Sequence, residues 1–257
     1  MRGLKKKYYL TGIDWFAHLF DYMAKQATGV GNLFQIVVEL DGTVSEKDLS
    51  NALDRVYPHF PLLTGRTRRS LNLAPYYRPE KKAHNATEQI TVYDAADEAG
   101  ALNQIESLAN QPFASDSDHL ECHLVNTPGS SRLVMRCDHR LFDARGAEAF
   151  LHQFDLAWRD DALAHINPVM PAHLNQWQKK FQAGQSTNRM FLKLSENGTP
   201  RALPPEAASR NYKFLVIPFT QPETEQILET AYKSAGFLML MPYLLAVSAT
   251  ILHPRFV

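Results

Sequence analysis

The sequence lacks an excess of charge of either sign: 27 Lys and Arg balance 27 Asp and Glu over 257 residues. Without a net field, bulk electrostatics excludes nucleic acid and anionic membrane as partners. The basic run Lys5-Lys6-Lys7, with Arg2 nearby, is terminal and has no aromatic interleaving, so it reads as a solvated end. Cysteine is scarce as well. Cys122 and Cys137 cannot build a disulfide framework and read as buried, reduced thiols of a cytosolic protein. The N-terminus carries no apolar core behind its basic residues, which argues against a secretion signal. The apolar run from Phe237 to Leu252, interrupted by Pro242, is shorter than the roughly 20 residues a membrane span needs, and it reads as a buried helix. Several catalytic signatures are missing too: no Gly-x-Ser-x-Gly elbow, no P-loop and no Cys-x-x-Cys pair.

What is present is an ordinary globular composition, 45% hydrophobic and 21% charged. Trp15, Leu19, Tyr22 and Met23 share one helical face and predict a helix over 14–26 with that face buried. Phe34, Ile36, Val38 and Leu40 alternate with Gln35 and Glu39, the pattern of a half-buried strand over 33–40. Ser45 and Asp48 have the spacing of a capping box ahead of a helix that ends at Pro58. Short strands are expected over 90–93, 120–125 and 132–138, the last two as a hairpin, and another over 212–218. Helices are expected over 98–109, 147–158 and 223–234. Strands and helices mix without strict alternation, so the class is α/β (α+β), with a mixed or mainly antiparallel sheet in a two-layer sandwich. Gly, Ser, Asn, Pro and Arg gather over 184–211, which reads as a linker between a lobe over 1–183 and a further segment over 212–257.

The segment with the most chemical promise is Cys137-Asp138-His139-Arg140-Leu141-Phe142-Asp143-Ala144-Arg145-Gly146, between a predicted strand and a predicted helix. A histidine at a strand end projects from a rigid base, and its near-neutral chemistry suits proton abstraction from a hydroxyl or amine. The plainer reading makes His139 a polar loop residue and Asp143 a helix N-cap. His119, Glu121 and His123 share a strand face but lack a further ligand, so no metal site is expected.

His139 and Asp143 form a His-x-x-x-Asp motif between strand and helix. Upstream, Phe60-Pro61-Leu62-Leu63-Thr64-Gly65-Arg66 follows a strand and a helix. Together these segments resemble the chloramphenicol acetyltransferase-like superfamily of condensation domains and BAHD acyltransferases. Asp138 stands where the first histidine of the longer motif often stands, and Ala144 replaces the usual glycine. The resemblance implies transfer of an acyl group from a thioester, acyl-CoA or a phosphopantetheinyl acyl carrier protein, to an alcohol or amine. It makes His139 the general base and Asp143 a structural brace paired with an arginine. Arg66 is the first choice for that partner, with Arg136, Arg140 and Arg145 as rivals. No bound cofactor is implied beyond the co-substrate. Relatives have two lobes around a substrate tunnel, and here the second lobe reads as incomplete. The alternative is a non-catalytic relative that binds a carrier or partner protein, and a second copy of the chain is one way to supply the missing wall.

Overall fold

The computed structural model describes residues 7–79, 90–164, 179, 182–186, 189–190, 193, 211–214, 216, 218–236 and 239–252. The chain divides into two compact units. One holds 1–191 with 210–212, the other 192–209 with 213–257.

The first unit is built on a four-stranded sheet. Its strands are β2 (Leu33–Asp41), β5 (Ile90–Asp94), β6 (Leu120–Thr127) and β7 (Ser130–Asp138), in the order β2-β7-β6-β5. β7 runs antiparallel to both neighbours, while β5 and β6 are parallel, so the sheet is mixed as the sequence predicts. Alternation sorts the side chains. Leu133, Met135 and Cys137 face α2 (Glu46–Val56) and α4 (Ala144–Trp158), joining Leu49, Leu53, Phe150 and Phe154 in the main core. Val134 and Val125 lie on the other face, beneath Ala101, Ile105 and Leu108 of α3 (Glu98–Ala109). The hairpin between β6 and β7 turns at Pro128-Gly129, where Gly129 takes a φ of 93°.

Two features depart from the sequence reading. A second, three-stranded sheet of β1 (Tyr8–Tyr9), β4 (Pro75–Pro79) and β3 (Gly65–Arg69) was not anticipated, because its short strands carry Arg and Pro rather than apolar alternation. The second departure is α1 (Gly12–Thr28), which forms but turns inward a polar stripe beside the predicted apolar face, of which Trp15 is half-buried against Tyr8, Leu10 and Tyr77. Tyr22 and Met23 are 62% and 53% exposed, whereas Asp21 is 7% exposed. The stripe Asp14, His18, Asp21, Lys25 carries the polar contacts: His18 meets Tyr77, and Asp21 meets Arg140 and the amide of Asn32. Specific partners for the polar stripe outweigh the simple apolar-inward rule.

The second unit contains α5 (Gln221–Ala235), started by a Thr220–Glu223 capping box, and α6 (Leu240–Leu252). No strand forms among the described residues of 211–220. The strand expected over 212–218 is therefore absent from the residues described there, and most of the predicted linker lies outside the described residues. No helix among the described residues is long and apolar enough to cross a membrane.

Candidate active site

β7 ends at Asp138, and a short turn leads from it to α4. His139 occupies that turn. Its amide donates to the carbonyl of Asn32 (3.0 Å), and its ring stands edge-on to Phe34, with centroids 5.3 Å apart. The imidazole is exposed, and neither ring nitrogen has a hydrogen-bond partner among the described residues.

Asp143 is not the buried brace that the resemblance implies. It is exposed and caps α4, its carboxylate accepting from the amide of Gly146 at 2.7 Å. It forms no ion pair among the described residues. The geometry explains the difference. An N-cap carboxylate faces the open amides of the first turn, and those amides satisfy it without an arginine. Arg66 lies half-buried on β3, with Nη2 donating to Ser117 Oγ (3.4 Å). Two of the rivals are engaged elsewhere, Arg136 with Glu121 and Arg140 with Asp138, and Arg145 is exposed on the first turn of α4.

The buried ionic centre lies one residue before the histidine. Asp138 and His119 have side chains only 1% exposed, and His119 Nδ1 is 2.7 Å from Asp138 Oδ2. The other ring nitrogen, Nε2, donates to the carbonyl of Gly65 at 2.7 Å, since a carbonyl can only accept. Arg140 grips the same carboxylate, with Nη2 2.6 Å from Oδ2, Nε 3.0 Å from Oδ1 and its backbone amide 2.9 Å from Oδ1. Burial alone would raise the Asp138 carboxyl. The hydrogen bonds from His119 and Arg140, with their charges, instead hold it down to about 2. Arg140 also reaches Asp21 of α1 (3.7 Å), and Asp21 pairs with Lys25 (2.9 Å).

Next to this centre, His18 Nε2 lies 2.8 Å from the Tyr77 hydroxyl, and the Tyr77 ring stands perpendicular to His119. Burial, with the nearby positive charge of Arg140, brings His18 down to about 4. Trp15, Leu19, Tyr22 and Pro75 form the apolar wall of a groove of about 690 Å³ that His18 also lines, with Arg68 and Arg69 at its side.

Glu121 and His123 do share a face of β6, with His119 just before the strand, but His119 is committed to Asp138 and Gly65. Among the described residues no three His, Cys, Asp or Glu side chains converge as metal ligands. Sequence reasoning missed Asp138, His119, Arg140 and Asp21 as a group. One signal was available: strand alternation puts Asp138 on the face opposite Cys137, and the hairpin register brings His119 beside it.

No family profile and no curated protein matches the chain. Solved structures do. The first condensation domain of the CDA synthetase superposes with a TM-score of 0.61 at 18% identity, over 97% of this chain and 61% of that one. The starter condensation domain of rhizomide synthetase gives 0.52 at 14% identity, over 76% and 48%. The same domain in complex with C8-CoA gives 0.52 at 16% identity, over 79% and 49%. The chain therefore has the chloramphenicol acetyltransferase-like fold of condensation domains, and it spans about half the length of most of these relatives.

Proposed function

We propose that this chain carries the general base of an acyl transfer, with His139 taking the proton from an alcohol or amine acceptor. The acceptor atom attacks the carbonyl carbon of a thioester donor. The C–S bond then breaks, and the proton passes from His139 to the departing sulfur, giving ester or amide plus free thiol. The observation that carries this reading is the placement of His139: an exposed imidazole at the end of a central strand, in a fold shared with condensation domains. The donor in this reading is an acyl-CoA or an acyl carrier protein. A starter condensation domain of the same fold, solved in complex with C8-CoA, supports a thioester. The reading uses the lobe over 1–183, the linker over 184–211 and the start of a second lobe over 212–257. Buried free thiols at Cys122 and Cys137 fit a cytosolic setting.

General-base catalysis supplies roughly 10²–10⁴-fold, so orientation of two substrates must supply much of the remainder. A thiol-release assay with a panel of acyl-CoA donors and simple alcohols and amines tests the reading. Weak or no turnover is expected of this chain alone; in a protein carrying both lobes, turnover is expected to fall at least about 100-fold in His139→Ala, the lower bound for a lost general base. Equal turnover by the variant contradicts it.

The second reading is a non-catalytic lobe that binds an acyl carrier or another partner. It is favoured by the ring of His139, which no described residue holds in one tautomer. Binding of an acyl carrier with no thiol release at any donor concentration, with both lobes present, supports this reading over the first.

A further inference from the structure

We propose that Asp138, and not Asp143, is the positioning residue for His139. The clamped carboxylate of Asp138 builds the turn that presents the imidazole. The catalytic consequence rests on the reading of His139 as a base; the geometric claim does not.

Every hydrogen bond that shapes this turn involves Asp138 or closes back on it. Its Oδ1 accepts from the amide of Arg140 (2.9 Å), and its own carbonyl accepts from the amides of Leu141 and Phe142 (3.0 Å each). Its amide donates to the carbonyl of His119, the residue whose ring also holds its carboxylate. The amide between them, that of His139, donates to Asn32 O, while Asn32 N donates to Asp21 Oδ1 (3.1 Å). Asp21 Oδ2 faces Arg140, which returns to Asp138. The circuit Asp138, Arg140, Asp21, Asn32, His139 thus closes, and it ties α1 to the motif turn. With three consecutive amides after His139 and the amide of His139 itself all bonded, the backbone that aims the ring has little freedom.

The charge on Asp138 is what makes the clamp hold. Its carboxylate accepts from His119 Nδ1, from the Arg140 guanidinium and from a backbone amide together, and charge-assisted bonds are about twice as strong as neutral ones. Asp143 has no such clamp: it is exposed, its carboxylate accepts from the amide of Gly146, and it stabilises the start of α4 rather than the turn. In relatives with the longer motif, the position of Asp138 is often a histidine. Here that position and His119 supply the aspartate and histidine of one buried pair.

The test uses the chain as it is, with two readouts. Amide hydrogen exchange reports the turn through Arg140, Leu141 and Phe142, against Leu124 and Val134 in the sheet. The ring protons of His139, shifted by the edge-on Phe34 ring, report where the imidazole points. Asp138→Asn keeps the shape and one acceptor, but it turns donor hydrogens toward the clamp. It is expected to speed exchange at the three turn amides at least about tenfold, the scale of one lost charge-assisted bond, and to move the His139 ring signals. Asp143→Ser keeps a capping oxygen and is expected to leave both unchanged. Should Asp138→Asn fail to fold, His119→Gln removes one arm of the clamp and is expected to move the same signals. A residue that merely stabilises the fold would speed exchange in sheet and turn alike and leave the His139 ring where it is. That outcome, or a response to Asp143→Ser equal to that of Asp138→Asn, overturns the proposal. None of these readouts depends on turnover, so failure of the acyl-transfer reading leaves them interpretable.

Discussion

At the residue scale, the site is governed by which charges are buried together. Gly31 shows how tight the fit is. Its φ is 105°, and a Cβ built there would meet Asp21 Oδ1 at 2.7 Å. Gly29 also has a positive φ, 81°, but nothing lies within 4 Å of its Cβ position. Both positions disfavour alanine by roughly 1–2 kcal/mol through backbone conformation. Only Gly31→Ala must also displace the carboxylate that holds Asn32 and Arg140. Urea unfolding is therefore expected to show a clearly larger loss for Gly31→Ala than for Gly29→Ala; equal losses would mean that Asp21 moves aside freely.

His18 and Asp138 give the unit two separate pH windows. His18 is held neutral in the fold, at about 4 against an ordinary 6.5. Between those values the unfolded chain binds the extra proton. The contribution of a neutral His18 is therefore complete above pH 6.5 and is lost as pH falls toward 4. Asp138 is depressed from 3.8 to about 2, so its contribution is complete above pH 4 and is lost only as pH falls from there toward 2. Melting temperatures between pH 7 and 4.5 are expected to fall in the native chain and to fall less in His18→Gln. An unchanged slope in the variant would assign the upper window to another group.

At the element scale, legibility followed the strength of the local pattern. β2 was readable because four apolar residues alternate with polar ones, and α3 because its apolar face packs under the sheet in the ordinary way. The face of α1 was misread because its inward stripe is chosen by Tyr77, Asn32 and Arg140, residues distant in sequence. Caps illustrate the same limit. The spacing at Ser45 and Asp48 promised a box, yet the Ser45 side chain makes no capping bond, because the Asp48 amide is taken by the Ser45 carbonyl (3.1 Å). A box that was not anticipated starts α1: Asp14 Oδ2 accepts from the Thr11 amide (2.5 Å), and Thr11 Oγ1 accepts from the Asp14 amide (3.4 Å). Thr11→Ala is expected to cost about 1 kcal/mol and Ser45→Ala far less, measured by thermal unfolding. The reverse order would show that the α1 box adds nothing beyond intrinsic helix propensity.

At the scale of the whole molecule, the fold was legible from two ordered motifs, the Phe60-to-Arg66 segment and His139 to Asp143, though neither motif alone would have carried it. The division of labour within the second motif was not legible. A linear pattern fixes which residues are near in sequence, whereas the charge centre is assembled from α1, β6 and the end of β7. Among the described residues, the second unit carries a helix, α6, with apolar side chains in the open: Met241 is 63% and Leu245 65% exposed. Burying apolar surface contributes roughly 25 cal/mol per Å², so such a face favours a covering partner.

The central claim is that the His139 imidazole lies at the site of acyl transfer, where it takes the proton of the acceptor that attacks the thioester. The most direct measurement follows the ring resonances of ¹³C-labelled histidine as the chain is titrated with a thioether analogue of an acyl-CoA, which cannot be cleaved. His139 is assigned by the loss of its signal in His139→Ala. The account expects the His139 signal to move saturably with the analogue, while buried His119 stays fixed. Saturable binding that leaves the His139 signal unmoved, or no binding at millimolar analogue, would contradict it.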